Sequence, residues 1–231
     1  MKNNELSAPI HITFFGDSIF VGQGVSIYHG WVAQMSKYID DYSREVGRNF
    51  LVVNSSANGR TTRQALEDMP YAIQSHRIHI LIVQFGLNDC NYWETDKGGA
   101  RVSAGAYKEN LREIIMRGFR AGAYRVLLNN NHPTTRDINI FPHTEITYED
   151  SNKQYCELAK ELAADFNDEV IFLDIHAYFT EQLRLQNKTM KHYLQEDGLH
   201  LNRAGHEEYL RKMKPVIFST IDKFISSEDE N

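Results

Sequence analysis

Ser18, Asp197 and His200 are the side chains in this sequence that together could activate a hydroxyl for attack on an acyl carbon. A serine hydroxyl is a weak nucleophile near neutral pH, so it needs a base within hydrogen-bond reach, and that base needs an acceptor fixing its tautomer. Asp197 and His200 stand three apart in Asp197-Gly198-Leu199-His200-Leu201-Asn202, so one short loop can present carboxylate and imidazole as a unit. The oxyanion that forms on the attacked carbonyl needs donors aimed at it. Three are available: the backbone N–H of Ser18, the backbone N–H of Gly59 and the side-chain amide of Asn88. Removing one such donor typically costs about 10²–10³ in rate, so the donors matter as much as the triad's geometry.

These residues need a frame that brings distant parts of the chain together. Short β-branched and aromatic runs at Ile10–Phe15, Phe50–Asn54, Ile78–Phe85, Tyr124–Asn129 and Val170–Leu173 are apolar nearly throughout, as suits strands buried on both faces. Between them, residues recur at helical spacing: Trp31, Met35, Tyr38 and Ile39; Leu111, Ile114, Ile115 and Phe119; Tyr155, Leu158, Ala159 and Leu162. Thr61 or Thr62 can cap a further helical stretch through Gln74, and a last amphipathic stretch runs from Arg203 to about Ile225. This alternation predicts an α/β fold, a parallel sheet with helices on both faces. In such sheets the working groups gather at the carboxyl ends of the strands. Here those ends read Gly16-Asp17-Ser18, then Asn54-Ser55-Ser56-Ala57-Asn58-Gly59, then Gly86-Leu87-Asn88-Asp89, then Asn129-Asn130-Asn131-His132-Pro133, all small or polar.

Taken in order, Gly16-Asp17-Ser18, Gly59, Gly86-Leu87-Asn88-Asp89 and Asp197-Gly198-Leu199-His200 resemble the four signature blocks of the SGNH (GDSL) hydrolases, serine esterases and lipases. The resemblance covers about Ile10 to Ile225. It implies a flavodoxin-like three-layer α/β/α sandwich with a five-stranded parallel sheet, nucleophile Ser18, base His200, orienting Asp197, and an oxyanion hole from Ser18, Gly59 and Asn88. It also implies cleavage of esters and thioesters, including lipids and O-acetyl groups on sugars, with no metal and no organic cofactor. Ile19 stands where the family name has Leu, a conservative apolar change. Each block alone has a bland reading. Asp-Ser at a strand end is often a helix cap, Gly-Leu-Asn-Asp can be an ordinary turn, and Gly59 can simply supply a positive φ. Four blocks in the right order with complementary roles exclude coincidence.

Other motifs fail. Gly16-Asp17-Ser18-Ile19-Phe20 lacks the second glycine of a nucleophile elbow, and Gly22-Gln23-Gly24 has Ile27 where a dinucleotide fingerprint needs glycine. There is no Gly-Lys-Ser/Thr phosphate loop, and the histidines, including His76 and His79, show no zinc spacing. Cys90 reads as structural. Candidate substrate contacts are Asp17 beside the nucleophile, Tyr92 and Trp93 in the polar loop after Asn88, and Asn130 and His132 in the long loop to His143.

The length of 231 residues suits one domain, with a core of about 10–225 and a polar, disordered tail at 226–231. The formal net charge of -6 argues against nucleic acid as a partner and against anionic polymers as substrates. Arg60, Arg63 and Arg101, near the proposed site in sequence, could reverse that sign locally. Cys90 and Cys156 form no disulfide framework and read as reduced thiols. Lys2 and the polar residues after it do not make a signal peptide, and no apolar run approaches the roughly 20 residues of a transmembrane helix. The expectation is a cytoplasmic, cofactor-independent hydrolase of short acyl esters, such as O-acetyl groups on carbohydrates. The alternatives are a lysophospholipase or thioesterase acting on longer chains, an acyltransferase, and a ligand-binding module that keeps the fold without the chemistry.

Overall fold

In the computed structural model, residues 8–229 are described. Lys2 with its polar neighbours, and the last two residues of the expected tail, lie outside them. The chain alternates strand and helix: β1 (Ile10–Gly16), α1 (Ser18–Val21), α2 (Trp31–Val46), β2 (Phe50–Asn54), α3 (Thr62–Met69), β3 (Ile80–Gln84), α4 (Ala104–Arg120), β4 (Arg125–Asn129), α5 (Tyr148–Ala163), β5 (Val170–Leu173), α6 (Ile175–Gln186) and α7 (Arg203–Asp229). The five strands form one wholly parallel sheet in the order β2-β1-β3-β4-β5, the flavodoxin-like order. Helices α2 and α7 pack together, as do α3, α4 and α5.

That strand order places the switch point between β1 and β3, where successive connections leave toward opposite faces and open a crevice at the strand ends. Ser18 follows β1, so its neighbours across the crevice are the loops that follow β2 and β3. Phe14 pairs in register with Asn54 on one side and Ile82 on the other.

Not every strand is buried on both faces. β1 and β3 are, but β2 is an edge strand with Leu51 45% exposed, and Ile171 and Phe172 of the opposite edge are only half-buried. An apolar run records that a strand has a covered face, not that it has two neighbours. Helix α6 has no counterpart in the periodicity reading, although Ile175, Phe179 and Leu183 recur every four residues behind an Asp174 cap that accepts from Ala177 N–H at 2.9 Å. The described part of the expected disordered tail, residues 226–229, is helical instead: α7 continues through Asp229, whose carboxylate pairs with Arg48 at 2.7 Å.

The core beneath the site is aromatic. Trp31, fully buried at the start of α2, lies edge-on to Phe14 and Phe20 at 5.4 and 4.8 Å and stacks on Tyr209 of α7 at 4.8 Å. Such pairs add about 0.5–1.5 kcal/mol each beyond the area they bury. Here they fix α1, which carries the nucleophile, against β1 and both covering helices. Gly16 is needed for this approach, because a Cβ there would stand 2.9 Å from both Gln84 O and the Phe20 ring.

Candidate active site

The β1 strand ends at Gly16, and Asp17 caps the short helix α1 by accepting from Ile19 N–H at 2.9 Å, so Ser18 is the first helical residue. It is buried but for 5% of its surface. From the far end of the chain, His200 brings Nε2 to 3.0 Å from Ser18 Oγ, while its Nδ1 lies 2.5 Å from Asp197 Oδ2. A carboxylate can only accept, so it sets Nδ1 as the donor and leaves the Nε2 lone pair for the serine proton. Asp197 Oδ1 accepts from the N–H groups of Leu199 and His200 at 2.9 and 3.0 Å. Burial pushes this carboxyl up, but the bonds from the His200 ring and the two N–H groups outweigh it, and Asp197 is held below the usual carboxylate range.

The loop bearing Asp197 and His200 is braced from two sides. Gln195 Nε2 donates to Gln23 O at 2.8 Å, tying the loop to the segment that follows α1, and to Leu201 O at 2.9 Å. From the β4–α5 connection, Thr135 N–H reaches Gly198 O at 3.1 Å and Arg136 Nε reaches Asp197 O at 3.0 Å. No sequence spacing announces the braces to Gln23, Thr135 and Arg136, because each joins residues more than sixty positions apart.

Gly59 and Asn88 follow β2 and β3, the two strands that flank β1. Gly59 is exposed and has φ +72°, the left-handed region that favours glycine. Among the described residues no acceptor takes the N–H of Ser18, the N–H of Gly59 or the half-buried amide of Asn88. Next to Asn88, Asp89 accepts from Thr62 N–H at 2.9 Å and Thr62 Oγ1 at 2.5 Å, locking the loop after β3 to the start of α3 and hence to the loop holding Gly59. Burial raises the Asp89 carboxyl to about 6.

The other candidate contacts divide. Asp17 is wholly buried, and besides capping α1 it accepts from Gln84 Nε2 at 3.3 Å, so it offers no face to a substrate. Asn130 is committed to α6: it accepts from Ile175 and His176 N–H at 2.7 and 3.1 Å and donates to Asp174 at 2.9 Å. His132 is buried, its Nδ1 lies 2.8 Å from Pro133 O, and burial lowers its pKa to about 4. Asn129 donates to Tyr209 OH at 2.9 Å, and Asn131 lies within hydrogen-bond distance of Gln84 and Asn152. Asn130, expected as a substrate contact, therefore has its amide committed to the start of α6, and the amide groups of its neighbours Asn129 and Asn131 face other elements of the core. Tyr92 stacks on Phe141 at 4.5 Å, whereas Trp93 is 52% exposed. Both cysteines are free and buried, and burial pushes each thiol up, away from the nucleophilic thiolate. Among the described residues, no group of three or more His, Cys, Asp or Glu is arranged to hold a metal, and no helix is long and apolar enough to cross a membrane.

Burial also raises the Asp17 carboxyl to about 7 from an ordinary 3.8. The folded protein then keeps a proton that the unfolded chain releases, so ionising Asp17 costs stability as pH climbs through this window, and nothing below it. The stability of Asp17→Asn relative to the unmutated protein is expected to improve between pH 4 and 7 and then level off, as read from urea midpoints at about one-unit pH steps. A difference constant with pH would mean that Asp17 is ionised throughout.

The sequence profile of the GDSL-like lipase/acylhydrolase family matches residues 14–208. Esterase TesA of Pseudomonas aeruginosa is 29% identical over 119 residues, which are 51% of this chain and 53% of TesA, so the chain spans about half the length of the curated relative it matches. Among solved structures, the acetylxylan esterase Axe2 of Geobacillus stearothermophilus superposes with a TM-score of 0.69 at 18% identity, over 90% of this chain and 94% of that one. A lipase/acylhydrolase from Enterococcus faecalis gives 0.65 at 20% identity, over 89% and 96%. The structure of TesA gives 0.65 at 20% identity, over 93% and 99%. At these identities the structural matches speak for the fold.

Proposed function

The chain belongs to the GDSL-like lipase/acylhydrolase family, and from that premise we propose that it is a serine hydrolase that cleaves carboxylic esters through an acyl-enzyme. The single observation that carries this reading is the relay from Ser18 Oγ through His200 to Asp197, at 3.0 and 2.5 Å. His200 takes the proton of Ser18 as Oγ attacks the ester carbon. The resulting oxyanion is met by the N–H groups of Ser18 and Gly59 and the amide of Asn88. His200 then hands the proton to the leaving alcohol, and water activated by the same imidazole releases the acid. No step calls on a metal or an organic cofactor.

The substrates are short acyl esters, with O-acetyl groups on carbohydrates foremost. The polar walls around the exposed Trp93 support this reading, as does the likeness in fold to Axe2, an acetylxylan esterase. The test is hydrolysis of p-nitrophenyl esters from acetate to palmitate. Fastest cleavage of acetate or butyrate is expected. Fastest cleavage of palmitate would transfer the assignment to lysophospholipase or thioesterase chemistry, and no cleavage by the folded protein would favour a binding module.

A further inference from the structure

The three arginines near the site have different fates. Arg60 is used internally: it pairs with Asp68 at 3.0 Å, donates to Ser55 O at 2.6 Å and lies 5.2 Å over the Phe15 ring. Among the described residues, Arg63 and Arg101 form no salt bridge, although the charge of Arg101 acts on the buried Asp89 and holds its carboxyl lower than burial alone would. With Thr61, Gln64, Trp93 and Asp96 they line a cavity of about 350 Å³. Asp96 is the one acid there, and its Oδ2 accepts from Trp93 N–H at 3.2 Å, closing its own turn. The cavity therefore holds two cations to one anion, in a chain whose formal net charge is -6.

The cavity adjoins the candidate chemistry. Both terminal nitrogens of Arg101 stand 3.5 Å from Gly59 O, the carbonyl of the glycine whose N–H faces the oxyanion in the reading above. The Arg101 guanidinium rests 4.3 Å over the Trp93 ring, which orients its planar fork, and half of that indole stays open. A guanidinium fork matches a carboxylate, and an exposed indole gives a ring an apolar surface to lie on.

We propose that this cavity is a subsite for a sugar ring bearing a carboxylate, so that the preferred substrate is an O-acylated acidic sugar. The proposal rests on the ester-hydrolase reading and narrows its substrate class. It takes up the local reversal of sign that Arg63 and Arg101 allow, against the net charge that disfavours anionic polymers, because a local pair of cations acts on a bound group more strongly than screened charges elsewhere on the surface.

The experiment compares kcat/KM for the methyl glycosides of O-acetylated glucuronic acid and O-acetylated glucose, with p-nitrophenyl acetate as a reference ester. The uronate is expected to be preferred by about tenfold, the worth of one net charge-assisted hydrogen bond. Arg63→Gln and Arg101→Gln should each lower the ratio, their combination should bring it to about one, Arg101→Lys should retain part of it, and added salt should erode it. A ratio of one or less in the unmutated enzyme, or a preference that survives in the double variant, overturns the proposal. If p-nitrophenyl acetate is cleaved while the ratio is one, the subsite alone fails. If the folded protein does not cleave p-nitrophenyl acetate, the hydrolase reading falls and the subsite falls with it.

Discussion

Ser18→Ala is expected to lower kcat on p-nitrophenyl acetate by at least about 10⁴, to the residual rate that bound oxyanion donors sustain without a nucleophile. The fold should survive. Ser18 leads a short helix whose cap is Asp17 Oδ1 to Ile19 N–H, and whose packing comes from Phe20 against Phe14 and Trp31, none of which uses the hydroxyl. Among the described residues, the only bond lost is that to His200 Nε2. Circular dichroism and a urea midpoint close to those of the unmutated protein, beside the collapse in kcat, would separate chemistry from unfolding. Activity retained in a folded Ser18→Ala protein would mean that another residue attacks, and buried Cys90 is no substitute, since burial holds its thiol protonated.

His200→Ala should cost a comparable factor, and the double variant with Ser18→Ala should be little worse than either alone. Nucleophile and base act as one unit, so removing the second part after the first takes away nothing further. Additive losses would instead indicate two independent contributions. KM should change little in either variant, because both residues act on the reacting atoms. Kinetics of the two single variants and the double variant on one ester measure this directly. Asp197 shares the unit differently: its Oδ1 also holds the backbone N–H groups of Leu199 and His200, so its loss disturbs the base loop as well as the imidazole tautomer.

Much of the frame was legible because it depends on local signals. Apolar runs bounded by small residues marked β1 and β3 to within two residues at either end, and the helical spacing around Trp31 and Met35 marked the face that covers them. Ser18, Asp197 and His200 could be named as candidates before the fold because the roles proposed for them require particular residue types in a particular order near strand ends. What escaped depends on contacts distant in sequence. The amides of Asn129, Asn130 and Asn131 looked free in the chain, yet Tyr209, the start of α6, and Gln84 with Asn152 take them up. His132 read as a candidate contact because its loop has the length of a functional one, while its ring is buried near Phe179. The three arginines were indistinguishable until Arg60 was seen paired one helix away with Asp68. Burial of an amide or a cation is decided by the partner brought to it, and a single segment does not name that partner. Helix α6 is the exception, since its four-residue repeat was there to be read.

The central claim is that Ser18 is the attacking atom's residue and His200 its base. A fluorophosphonate ester, which forms a stable covalent adduct only with an activated serine, followed by peptide mass spectrometry, tests it most directly. A single phosphonyl group on the peptide containing Ser18 is expected, with loss of esterase activity in step with labelling, and labelling slowed severely in His200→Ala. Inactivation with the adduct on a different residue, or ester hydrolysis that continues after Ser18 is fully labelled, would contradict it.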